Sequence, residues 1–120
     1  MKGLGKDENL IEGLIEGLRN TEKLIIVEGK KDKKALEKLG ITNVKELNKS
    51  IFEFAEEIAA KEKEVIILTD LDKEGKLLYS KLKSNFQRNG VKVDVHFREF
   101  LFKNTKLRQI EGINSYIKRR

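Results

Sequence analysis

Two short stretches hold the residues best suited to chemistry. Val27-Glu28-Gly29-Lys30-Lys31-Asp32 and Thr69-Asp70-Leu71-Asp72-Lys73-Glu74-Gly75 each follow a run of aliphatic residues. Each run reads as a buried strand, so both acidic stretches fall at strand carboxyl ends, where open parallel sheets bind ligands. If the two strands are neighbours, Glu28, Asp70 and Asp72 converge on one rim. Three such carboxylates repel one another unless a divalent cation sits among them or one is protonated. An oxygen-only donor set without His or Cys favours a hard ion, Mg²⁺ or Mn²⁺. Such an ion polarises a phosphoryl oxygen. Lys30, Lys31 and Lys73 lie beside the acids and near helix N-termini, where anions bind well. Acids for a cation with lysines alongside suit a phosphodiester. Gly29 and Gly75 would allow close backbone approach or a positive φ. The plainer reading is that such acids are N-caps of the following helices.

The elements that must position these residues follow from periodicity. Residues 7–19 read as a helix with Leu10, Ile11, Leu14, Ile15 and Leu18 on one stripe. Lys23–Glu28 reads as a strand, apolar on both faces. Asp32 is expected to cap a helix through Leu39, ended by a left-handed Gly40. Ile41–Leu47 is a weak strand or loop, and Ser50 with Glu53 opens a helix to about Glu62. Val65–Thr69 is a second apolar strand. Lys73–Asn89 reads as a helix burying Leu77, Leu78, Leu82 and Phe86, ended by Asn89-Gly90. Val91–Phe97 alternates as a strand with His96 at its end, and a last helix is expected over about 105–118. This order predicts a three-layer α/β/α sandwich, Rossmann-like, on a four-stranded, mostly parallel sheet.

The chain's 120 residues suit one domain, residues 1–120. The absence of Cys excludes disulfides and thiolate zinc sites and fits a cytoplasmic setting. A single His makes His-based triads hard to build. No apolar run approaches the roughly 18 residues of a membrane span, and the polar start gives no expectation of a secretory signal. The net charge of +6 is unevenly placed. Residues 1–96 carry 19 basic and 18 acidic side chains, whereas residues 97–120 carry 7 and 2. Arg98, Lys103, Lys106, Arg108, Lys118, Arg119 and Arg120 are interleaved there with Phe97, Phe100, Phe102 and Tyr116. One reading is a nucleic-acid surface with basic groups on phosphates and an aromatic on a base. The other is a solvated helix face over buried rings.

Ile25-Ile26-Val27-Glu28-Gly29-Lys30-Lys31-Asp32 resembles the Glu-Gly-x-x-Asp motif of Toprim domains, and Asp70-Leu71-Asp72-Lys73-Glu74-Gly75 resembles their Asp-x-Asp-x-x-Gly motif. The resemblance covers about residues 23–97 and is similar in wording to small stand-alone Toprim proteins and Toprim-type ribosomal-RNA maturation nucleases. It implies Glu28 as general acid/base or metal ligand and Asp70 and Asp72 as Mg²⁺ ligands. Gly29, Asp32 and Gly75 would be supporting positions. Lys30, Lys31, Lys73, Arg119 and Arg120 are candidate substrate contacts outside the strict motifs. A topoisomerase needs a nucleophilic tyrosine, and neither Tyr79 nor Tyr116, both in predicted helices, has support for that role. A primase needs a longer body and usually cysteines. His96 could act near the rim or be structural. The expected function is a Mg²⁺-dependent nuclease-like protein acting on phosphodiester bonds of DNA or RNA. Its rivals are a non-catalytic metal- and nucleic-acid-binding module with a partner protein, and a phospho-acceptor receiver domain, which the Glu28-Gly29 motif disfavours.

Overall fold

The computed structural model describes the backbone of residues 6–118 and the side chains of residues 10–117. Leu24-Ile25-Ile26-Val27 and Val65-Ile66-Ile67 are almost wholly β-branched, which suits strands enclosed on both faces. They form the two central strands, β1 (Leu24–Val27) and β3 (Glu64–Ile67). The flanking strands are β2 (Val44–Glu46) and β4 (Lys92–Asp94). The sheet order is β2-β1-β3-β4 and every pairing is parallel. Ile25 stands opposite Val44 on one side and Ile66 on the other.

Parallel strands need crossovers, and α2 (Lys30–Glu37), α3 (Ile51–Ala59) and α4 (Lys73–Arg88) supply them, while α1 (Lys6–Asn20) precedes the sheet and α5 (His96–Asn104) and α6 (Ile113–Lys118) follow it. Period-two alternation divides the strand side chains between two cores. Ile25, Val27, Ile66 and Leu68 pack against α1, α2, α5 and the C-terminal segment, and Ile26, Val65 and Ile67 against α3 and α4. The result is the expected α/β/α sandwich. No described helix is long and apolar enough to cross a membrane.

Several local expectations hold. Ser50 caps α3, its Oγ accepting from the Glu53 N–H and donating to the Glu53 carboxylate. Gly40 and Gly90 take the left-handed φ of +81° and +80° that ends a helix. Others need correction. The N-cap of α2 is Gly29, not Asp32; Asp32 sits three residues on and reaches back to accept from the Gly29 N–H at 3.1 Å. Leu77 is 56% exposed rather than buried, because it lies on the outer side of α4. The strand expected through Phe97 stops at Asp94, and His96 opens α5. Asp94 Oδ1 accepts from the His96 N–H at 3.0 Å and turns the chain. The helix expected over 105–118 is a 3₁₀ turn, Ile110–Gly112, followed by α6.

Candidate functional site

β1 and β3 are hydrogen-bonded neighbours, so their carboxyl ends deliver Glu28 and the Asp70–Asp72 loop to one rim. The Asp70 N–H donates to Glu28 Oε2 at 2.7 Å, joining the two strand ends. Asp72 is the N-cap of α4, with Oδ1 accepting from the Gly75 N–H at 2.7 Å. The buried Thr69 hydroxyl donates to the Gly75 carbonyl at 2.8 Å. Gly75 therefore rests on the loop it follows. A Cβ there would lie 2.2 Å from the Asp70 carbonyl oxygen, so the close approach requires glycine. Gly29 has extended backbone and open space around its Cα, so neither expected reason applies to it.

The chain's last third returns to this rim. The Ile110 N–H donates to Asp70 Oδ1 at 2.8 Å, and the Leu71 N–H to the Arg108 carbonyl at 2.8 Å. The Glu111 backbone and charge both act on the Asp32 carboxyl. Arg98, only 7% exposed, donates from Nε to the Thr69 carbonyl at 2.9 Å and from Nη2 to the Asp70 carbonyl at 2.7 Å. Its guanidinium lies 4.3 Å from the Tyr79 ring centroid. Arg98 is thus a brace behind the carboxylate loop and not part of a nucleic-acid surface.

Electrostatics reflect the crowding. Burial, then the charges of Asp70, Asp32 and Asp72, hold the Glu28 carboxyl above its ordinary pKa, although the Asp70 N–H works the other way. Burial likewise raises Asp70, with Asp72 and Glu111 adding to it. Asp32 is raised by burial and by the Asp70 and Glu111 charges. Glu111 lies outside both sequence motifs, and only the return of the chain through residues 105–112 places it here.

Donor chemistry at the rim suits a hard cation. Glu28, Asp70 and Asp72 each have one oxygen on a backbone N–H and the other clear of hydrogen bonds among the described residues. The arrangement is open, however. Among the described residues no three Asp, Glu or His side chains are close enough to hold one ion. An ion would have to gather the free oxygens rather than enter a finished cage.

The other expected residues are placed as follows. Lys30 and Lys31 are exposed in the first turn of α2, and Lys73 in the first turn of α4. Arg119 and Arg120 lie outside the described residues. Phe102 is buried, and Phe97, Phe100 and Tyr116 pack against the core, so these rings do not form an exposed stacking platform. His96 contacts the Phe97 and Phe100 rings, with centroids 5.7 and 5.6 Å away, on the α1 side. Tyr79 packs within the fold under Arg98.

Comparison with known proteins adds four findings. A UPF0292 protein of Methanocaldococcus jannaschii is 40% identical, over 94% of this chain and 93% of its own length. Another, from Methanosarcina barkeri, is 37% identical over 97% of this chain and 83% of its own. A solved protein structure from Aquifex aeolicus superposes with a TM-score of 0.74 at 38% identity, covering 86% of this chain and 94% of that one. The Toprim domain model matches residues 23–101, a span that holds β1 to β4, most of α5 and every carboxylate of the two motifs, and with it comes a metal-binding, nucleic-acid-related role. This chain belongs to the Toprim domain family.

Proposed function

We propose that the protein is a Mg²⁺-dependent nuclease acting on phosphodiester bonds of DNA or RNA, with Mn²⁺ as a substitute ion. The supporting observation is the pairing of Glu28 with the Asp70 loop across β1 and β3. In this reading the free oxygens of Asp70 and Asp72 hold the cation, and Glu28 is a further ligand or the proton-transfer group. Its raised pKa suits the second role, since a carboxyl poised nearer neutrality can both give and take a proton. The cation, when bound, would polarise a phosphoryl oxygen. Lys30, Lys31 and Lys73 stand at helix N-termini flanking the rim, where they neutralise phosphates on either side of the scissile one.

A second reading has its own support. The carboxylates are spread, and each already serves a backbone N–H. That suits a metal- and nucleic-acid-binding module whose chemistry is completed by a partner protein. The deciding experiment is a Mg²⁺ and Mn²⁺ cleavage panel over duplex DNA, single strands and structured RNA, with Asp70→Asn as control. Metal-dependent cleavage that Asp70→Asn abolishes supports the nuclease. Binding without cleavage supports the module. Neither binding nor cleavage overturns both.

A further inference from the structure

A groove of about 390 Å³ lies between α2 and the C-terminal segment, and Glu28, Asp70 and Asp72 are not among the residues that line it. Lys31, Lys34 and Lys38 form one wall, and Glu111, Asn114 and Ser115 the other. The two walls are fixed to each other, because Asn114 Nδ2 donates to the Ala35 carbonyl at 2.9 Å. Spacings of three and four residues put the three lysines on one face of α2 and its C-cap, Lys38, whose backbone is still helical. All three are exposed. The ion pairs of the described residues involve Arg19, Lys23 and Lys49, and none takes a lysine of α2.

We propose that this groove is a track for the phosphodiester backbone of a nucleic acid, with Lys31, Lys34 and Lys38 as its phosphate contacts. The proposal rests on the nucleic-acid reading of the carboxylate rim and adds where the strand goes on leaving it. Three observations argue for a polyanion. The lining carries three cations against the single acid Glu111. The groove begins beside the rim, since Lys31, which lines it, stands next to Asp32 in the first turn of α2. The spacing also fits. Lys31 to Lys38 spans about 10 Å along a helix rising roughly 1.5 Å per residue, close to three steps of a strand whose phosphates rise about 3.4 Å each, so the lysines match phosphates within a run of four. A bare carboxylate rim repels phosphate, so most of the attraction for the flanking strand must come from such a track.

The test measures binding of labelled duplex DNA, single-stranded DNA and single-stranded RNA in chelator, so that no cleavage intervenes, across a salt series. Lys34→Glu with Lys38→Glu is compared with Lys61→Glu with Lys63→Glu, an equal change of charge in the turn before β3. Both pairs are exposed, and circular dichroism checks each fold. The groove pair should lose about tenfold or more in affinity, and the log–log salt slope should become shallower by nearly 2, about 0.9 per phosphate contact on a duplex. The turn pair should lose far less. Whichever probe shows the largest difference identifies the strand type. Equal weakening by both pairs, or by neither, while the wild type still binds, overturns the track and leaves the rim's reading intact. A wild type that binds none of the probes at low salt and cleaves none with Mg²⁺ overturns both.

Discussion

Glu28 Oε2 accepts a 2.7 Å hydrogen bond from the Asp70 N–H, so the acid that follows β1 fixes the backbone of the acid that follows β3. One side chain thus has a structural duty and, in the proposed function, a chemical one as well, and two substitutions separate them. Glu28→Gln keeps an amide oxygen to accept the bond but removes the ionisable group. It should unfold within about 1 kcal/mol of wild type, the scale of one ordinary hydrogen bond, and lose metal-dependent cleavage. Glu28→Ala leaves the Asp70 N–H without its acceptor, which costs roughly 1–3 kcal/mol. Urea unfolding and the cleavage panel check both. Equal destabilisation by the two variants, or cleavage retained by Glu28→Gln, counts against this division.

Gly75 makes a steric prediction. Any Cβ at this position meets the Asp70 carbonyl oxygen at 2.2 Å, and the obstacle is backbone rather than a flexible side chain. Gly75→Ala must push the first turn of α4 off the loop, breaking the bonds of Gly75 to Asp72 and Thr69. Overpacking of this kind costs about 1–3 kcal/mol. Alanine's better helix propensity returns at most about 1 kcal/mol. A stability equal to wild type in urea unfolding would contradict the close approach.

Both motifs were legible in sequence because each is local: an aliphatic strand, a turn and a capped helix within a dozen residues. The parallel pairing that joins them followed from strands buried on both faces. What was not legible depends on contacts distant in sequence. Val91, Val93, Val95 and Phe97 alternate as a strand would, but the carboxylate of Asp94 bonds the His96 N–H and starts α5 instead. The signal for that helix was present in the spacing of Arg98, Leu101 and Phe102, all buried on one side of it. The continuous helix expected from residue 105 is interrupted where Arg108 and Ile110 bond the Asp70–Leu71 loop. That same tie brings in Glu111, which no motif marks. Sequence alone offers Asp32 as the cap, three residues too late, because in a capping box the residue at the third helical position reaches back as readily as the cap reaches forward.

Arg98 holds the same loop from behind. Its guanidinium serves two carbonyls, those of Thr69 and Asp70, and stacks on Tyr79. Hydrogen bonds from a charged donor contribute roughly 1.5–3 kcal/mol each. Arg98→Met should therefore cost at least about 2 kcal/mol. Arg98→Lys should recover only part of it, since a single ammonium cannot span both carbonyls in the planar geometry of the fork. Nucleic-acid binding in chelator should be nearly unchanged in whichever variant remains folded. A large loss of binding with full stability would restore Arg98 to the contact surface.

The raised carboxyls give a pH dependence whose sign can be stated. Glu28, Asp32 and Asp70 hold their protons more tightly in the folded protein than in the unfolded chain. Between the unfolded values, about 4, and the raised folded ones, the native state binds more protons. In that window these groups make stability fall as pH rises, and above it all three are ionised and repel one another. Asp94 contributes with the opposite sign. Burial pushes it up, but the Lys23 hydrogen bond and charge and the His96 N–H outweigh burial and leave it below its ordinary value. The comparison must therefore be between wild type and Asp70→Asn, which share Asp94. Without metal, Asp70→Asn should be the more stable protein, and its advantage should grow from acid toward neutral pH. In the proposed function Mg²⁺ would bind the ionised carboxylates of the native state and not the unfolded chain. It should raise the wild-type Tm strongly at neutral pH, by an amount corresponding to about 2.7 kcal/mol at a hundredfold excess over Kd, and little near pH 4–5, where protons compete. Asp70→Asn should lose most of that response. A Mg²⁺ shift of the same size at both pH values, or in both proteins, would place the ion away from these carboxylates.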